Sequence, residues 1–239
     1  MDKDEFRGHI SHDYDSDLMN LHSLVKTMGD IAQQQVKLAI DALINTDGAK
    51  ANLVIVKEED VNALEKDIDK FCATTIARRQ PTAIDLRLIL AVTKINTDLE
   101  RIGDEASKIA KQTLLLAERN YKINELENIK KIAHRVTLLL DEAIIAYEQL
   151  DVKRAYMLVR EDLKIESFYE TVSQKYVSIM VKESSDAHSD LKMLWCLRAM
   201  ERIADHATNI AEQIIFLVKG IDVRHVDIRD LKDEVLKES

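Results

Sequence analysis

Apolar residues recur at steps of three and four along six long stretches of the chain, the rhythm of a helix that buries one face. From about 12 to 45 the buried stripe is Leu18, Leu21, Val25, Met28, Ala32, Val36, Ala39 and Leu43. From about 49 to 79 it is Val54, Val61, Leu64, Ile68, Phe71 and Thr75, and from Thr82 to about 117 it is Leu88, Val92, Ile95, Leu99, Ile102, Ala106, Ile109 and Thr113. Three further stripes follow over about 124–150, 152–184 and 187–219. Alternating fours and threes belong to helices packed lengthwise in a bundle. The boundaries carry local signals. Gly48 reads as the turn residue closing the first helix, Pro81 as the break before the third, and Gly220 as the end of the sixth. Thr82 with Asp85 three residues on reads as a capping box. Residues 1–11 read as loosely ordered, and 221–239 as a charged, solvated tail with at most one helical turn.

The stripes repeat as a set. Asp47 aligns with Asp151 and Glu58 with Asp162 at a shift of 104 positions, and Asp104 aligns with Asp205 at a shift of 101. The difference falls in the proline segment of the first half. A period this long is a domain duplication rather than a short solenoid repeat. The expected fold is therefore all-α: two tandem three-helix bundles, 1–117 and 124–220, related by an internal pseudo-twofold and followed by the tail 221–239.

Composition supports long helices and narrows the function. Only 5 Gly and 1 Pro occur in 239 residues, while 46% of residues are hydrophobic, so there is material for a core and little turn punctuation. A net charge of -9 disfavours nucleic-acid binding, adhesion to an anionic membrane, and tight phosphate capture by the bare protein. Residues 1–20 lack the apolar core of a signal peptide, and no apolar run reaches the length of a membrane span. A cytoplasmic protein is expected, reaching a membrane only through protein partners. Cys72 and Cys196 fall inside helical patterns and read as buried, reduced thiols.

The chemistry concentrates in one motif that occurs twice: Glu100-Arg101-Ile102-Gly103-Asp104 and Glu201-Arg202-Ile203-Ala204-Asp205. Carboxylates at i and i+4 share one helical face and repel there, so the arrangement gains nothing without a cation or a partner. Asp162 and Glu166 form a second ladder in the fifth helix, matching Glu58 and Asn62 in the second, where Glu65 and Asp69 continue the row. If the helices carrying these ladders are neighbours, each half holds facing carboxylates suited to a hard cation such as Mg²⁺, Mn²⁺ or iron. The competing reading is a solvated acidic face balanced by Arg101, Arg202 and Lys108, with Asp104–Lys108 as an i,i+4 ion pair. Lys108 stands where the second half has Asn209, so the two faces are not equivalent. None of the seven histidines has a helical partner at the Glu-x-x-His spacing of di-iron bundles, and no phosphate loop or nucleophile elbow is present. No active site is expected. Asp85, Arg87, Arg101 and Arg202 are candidate partner contacts, with helix capping the alternative for Asp85.

These residues resemble the PhoU family of bacterial phosphate transport. The likeness rests on Arg79-Gln80-Pro81-Thr82-Ala83-Ile84-Asp85-Leu86-Arg87, the two Glu-Arg-Ile-x-Asp motifs, Glu161-Asp162, and Lys219-Gly220-Ile221-Asp222-Val223-Arg224-His225, in order over nearly the whole chain. It implies two three-helix bundles, often dimeric, and a regulator rather than an enzyme. It implies repression of the phosphate-starvation response as an adaptor between the transporter ATPase PstB and the sensor histidine kinase PhoR. It also implies divalent metal on Glu100, Asp104, Asp162, Glu166, Glu201 and Asp205. Ala204 in place of a glycine, and Asn62 where the second half has Glu166, depart from a symmetric pattern. A metal-storage or metalloenzyme bundle, and a plain helical scaffold, are the alternative functions.

Overall fold

The computed structural model describes residues 12–183, 186–224, 226, 227, 230 and 232–236; the side chains of 12, 13, 162, 163 and 183 lie outside the description. The helices are α1 (His12–Asn45), α2 (Gly48–Arg79), α3 (Ala83–Glu118), α4 (Leu126–Gln149), α5 (Val152–Glu183), α6 (Ala187–Lys219) and α7 (Lys232–Leu236). Among the described residues there is no strand, and no helix is long and apolar enough to cross a membrane. α1, α2 and α3 pack together, as do α4, α5 and α6. The chain is thus two tandem three-helix bundles related by an internal pseudo-twofold.

The predicted stripes form the core. Leu18, Met28, Leu43, Ile68, Leu99 and Ile102 are fully buried, and one apolar cluster runs through both bundles. The bundles join chiefly where α3 lies along α6, with α1 against α4 beside it. Asp98 meets His206 and Asn209, Glu105 meets Arg202, and Arg119 meets Asp186. Rising numbers on α3 meet falling numbers on α6, so the central pair is antiparallel. Both cysteines are buried and unbridged. Burial pushes the Cys72 thiol up to about 11 and the Cys196 thiol up to about 12, which keeps them protonated and inert.

Three local expectations change. Gly48 is not the turn residue; it is the first residue of α2. Thr46 takes the left-handed conformation, at φ 51. Asp47 then caps α2, its carboxylate accepting from the backbone N–H groups of Ala49 and Lys50 at 3.0 and 3.1 Å. The aligned turn repeats the device: Leu150 is left-handed at φ 53, and Asp151 accepts from the Arg154 N–H at 2.9 Å. Thr82 is the N-cap of α3, but its side chain makes no cap bond. Asp85 bonds the Tyr14 hydroxyl instead, because α1 crosses there and offers a donor in a half-buried place. The tail is more anchored than a solvated segment. Val223 and Val235 are buried, and α7 packs on α5.

Candidate functional site: two acidic faces beside the central seam

In the first bundle α2 lies against α3, and this adjacency turns two ladders into one face. Glu58, Asn62 and Glu65 from α2 are half-buried, as are Glu100 and Asp104 from α3. They sit at the rim of the bundle because they occupy the positions flanking the apolar stripe. Burial is the main cause that raises the Glu65, Glu100 and Asp104 carboxyls above the ordinary range. Mutual repulsion adds to it: Asp69 and Asp104 act on Glu65, Asp104 and Glu65 on Glu100, and Glu58 and Glu105 on Asp104. The carboxylates of the two helices therefore feel one another across the interhelical groove.

Some of the charge is compensated internally. The Ser107 hydroxyl donates to Glu58 Oε2 at 2.5 Å, and the Lys111 ammonium stands 3.4 Å from the same oxygen. The Asn96 amide donates to Asp69 Oδ1 at 2.9 Å and to the Glu65 carbonyl at 3.1 Å. Lys108 does not form its ion pair with Asp104; its Nζ lies 2.9 Å from Glu105 Oε1, although its charge still opposes the rise at Asp104. Glu105 is almost wholly buried at the seam and draws Lys108 one step along the helix. Gly103 lets α3 approach its neighbours: a Cβ there would stand 3.1 Å from Gln35 Oε1 and 3.3 Å from Val61.

The second face is built differently. Glu201 is buried, and Arg198 holds its Oε1 at 2.6 Å. Asp205 is exposed, yet desolvation by its surroundings raises its carboxyl; Glu166 adds to this, while Arg198, His206 and Arg202 oppose it. Glu166 is exposed on α5. The Asp162 side chain lies outside the described residues. Cations thus stand beside this face, as Lys66, Arg101, Lys108 and Lys111 do beside the first. Among the described residues no three His, Cys, Asp or Glu side chains converge into a ready-made ligand set.

The candidate partner contacts do not form one patch. Asp85 and Arg87 lie near the start of α3, with Arg87 packed over Gly220 at the end of α6. Arg101 lies exposed on the same helix, roughly 20 Å away at 1.5 Å per residue. Arg202 is engaged, its Nε 3.1 Å from Glu105 Oε1. Sequence reasoning missed the seam polar groups Asp98, Glu105 and His206, and placed Asn209 on the acidic stripe rather than at the seam. His206 Nδ1 lies 2.8 Å from Asp98 Oδ1, and the Asn209 amide donates to that oxygen at 3.1 Å. The available signal was the i,i+7 spacing of Asp98 and Glu105 on one helical face, but their partners lie about a hundred residues away.

Comparison with known proteins places this architecture. A family model described as the PhoU domain matches twice, over residues 25–113 and 129–214, once in each bundle. The phosphate-specific transport system accessory protein PhoU homolog of Pseudomonas aeruginosa is 37% identical, over 98% of this chain and 97% of that protein. The accessory protein PhoU of Escherichia coli is 36% identical over 95% of this chain and 93% of its own length. The crystal structure of PhoU from Pseudomonas aeruginosa superposes with a TM-score of 0.85 at 36% identity, covering 87% of this chain and 100% of that one. The phosphate transport system regulatory protein PhoU from Streptococcus pneumoniae superposes with a TM-score of 0.81 at 26% identity, covering 87% and 98%.

Proposed function

The chain belongs to the PhoU family, and on that premise we propose that it is an accessory, regulatory protein of a phosphate-specific transport system. The observation that carries this reading is a match over both bundles to proteins named for that role. In this reading the chain works in the cytoplasm, as a dimer, by binding rather than by catalysis. It is a negative regulator of the phosphate-starvation response, holding the transporter ATPase PstB and the sensor kinase PhoR in their non-signalling arrangement while phosphate is plentiful. Its contribution is surface: two rigid bundles fixed by one seam, with acidic faces beside it.

The acidic faces set the second part of the proposal. The first face fits a hard divalent cation in donor type, since Glu58, Glu65, Glu100 and Asp104 are all oxygen ligands and repel one another when ionised. A bound Mg²⁺, Mn²⁺ or iron ion would supply charge neutralisation there and no reaction. The side chains must turn inward to close on it. On the second face Glu201 would have to leave Arg198 before joining Asp205, Asp162 and Glu166, so its loading is the weaker of the two.

The test is direct binding. Purified chain, at tens of micromolar, is mixed with PstB and with the cytoplasmic part of PhoR from the same source. Retention of either on the immobilised chain is the expected result. Failure of both to bind, with and without Mg²⁺ or Mn²⁺, overturns the adaptor reading.

A further inference from the structure

The two sides of the central seam differ at one pair of positions that the pseudo-twofold relates. On one side the position aligned with Ala199 is Asp98, which fills the space and bonds His206 and Asn209. On the other side Ala199 is too small to reach across. A cavity of about 260 Å3 opens there between α3 and α6, lined by Glu105, Lys108, Gln112, Trp195, Arg198 and Arg202 as well as Ala199. Trp195 is the only tryptophan in the chain and is 49% exposed. Leu191, one turn before it, and Leu115 on α3 are exposed as well. A large aromatic held half in water beside apolar neighbours is the composition of an interface anchor rather than of a solvated face.

The rim of the groove is cationic although the chain carries a net charge of -9. Lys108, Arg198 and Arg202 are each about half exposed. Each is tethered at one atom to a buried carboxylate: Lys108 and Arg202 to Glu105 at 2.9 and 3.1 Å, Arg198 to Glu201 at 2.6 Å. An arginine has five N–H donors and a lysine three, so the tether fixes the position of each cation and leaves further donors facing water. The Lys192 ammonium lies 5.4 Å from the centre of the Trp195 ring and adds positive charge at the same place. Anchored cations around an aromatic form a surface whose ordering is already complete before a ligand arrives.

We propose that this groove is the docking site for an acidic segment of a partner protein, which lays an apolar side chain beside Trp195 and carboxylates on Lys108, Arg198 and Arg202. The charge pattern selects such a segment over a basic one, and the cavity admits side chains rather than a folded domain. The proposal rests on the adaptor reading for the partner's role and makes the seam between the bundles the place where a partner is sensed.

The experiment uses the full chain and a dye-labelled acidic amphipathic peptide of about 16 residues, with leucines on one face and glutamates around them. Fluorescence anisotropy follows binding; circular dichroism and melting check each variant. Saturable binding is expected. It weakens at least tenfold between about 50 and 500 mM salt, as screening of exposed charges requires, and at least tenfold in Trp195→Glu. It is retained in Trp195→Phe, which keeps an aromatic. No saturable binding, equal binding of a peptide with lysines for glutamates, or unchanged affinity in Trp195→Glu overturns the proposal. So does a Trp195→Glu variant that leaves the peptide unbound and turns a dimer into a monomer in sedimentation, since the occupant is then a second copy. Failure of the adaptor reading is read separately, from the unmodified chain with PstB and PhoR; the peptide assay needs neither protein.

Discussion

At the scale of single residues the acidic face stores repulsion rather than stability. Glu65, Glu100 and Asp104 are raised by burial and by one another. A carboxyl raised in the folded state favours folding when protonated and penalises it when ionised, so its contribution is lost as pH rises through the folded value. Asp186 and Asp222 run the other way, lowered by hydrogen bonds from Ser189 and Arg224, and weaken the fold as pH falls. The combined variant Glu65→Gln, Glu100→Gln, Asp104→Asn removes only the first set. It should melt higher than the parent at pH 7, by roughly 2–4 °C for about 1 kcal/mol in a chain of this size, since solvent screening limits part-exposed charges to that order. The gap should close as pH falls toward about 4, the unfolded carboxyl range. Millimolar Mg²⁺ or Mn²⁺ should raise the melting point of the parent at pH 7 and not that of the variant. A variant less stable than its parent at pH 7 would show that these carboxylates are structural. The ladder itself was legible in the sequence, because i,i+4 spacing alone puts carboxylates on one face. The choice made by each cation was not: Lys108 turns to Glu105 only because α6 buries Glu105 beside Arg202, a fact of tertiary packing.

At the scale of elements the helices were legible from their stripes, and their ends less so. A glycine is the usual mark of a left-handed turn, yet Thr46, Gln80 and Leu150 adopt it here at φ 51, 50 and 53. The sequence pattern pointed to Gly48, whereas the capping strength of Asp47 set the boundary one residue earlier. At Gly220 the glycine signal and the structure agree. Its φ is +74, and its N–H donates to the Phe216 carbonyl at 2.8 Å to close α6. A Cβ there would also stand 2.1 Å from the Arg87 guanidinium. Gly220→Ala should therefore cost about 1–2 kcal/mol for the left-handed backbone alone, with more from displacing Arg87. Urea unfolding of Gly220→Ala, Arg87→Ala and the double variant separates the two. The double variant should be less destabilised than the sum of the singles, because the collision disappears with the arginine while the backbone cost stays. Strict additivity would mean that Arg87 yields freely and that its place over α6 is incidental.

At the scale of the whole molecule the duplication was legible from the two constant shifts, but the way one copy sits on the other was not. That is decided by α3 against α6, and there the two copies differ: one side of the seam is filled by Asp98 with His206 and Asn209, and the other is left open at Ala199. Asp98 and His206 are each 7% exposed. Removing the carboxylate strands the buried His206 imidazole, while the part-exposed Asn209 amide only loses its partner. Asp98→Ala should therefore destabilise the chain by about 1–3 kcal/mol, the usual penalty for an orphaned buried polar group. Because the core runs unbroken through both bundles, the loss in Asp98→Ala should appear as one cooperative transition shifted to lower denaturant with an unchanged slope. If the bundles instead unfold in separate steps, the seam is a contact between independent units rather than part of a common core. A partner bound at the Trp195 groove would then govern their relative placement instead of reading it.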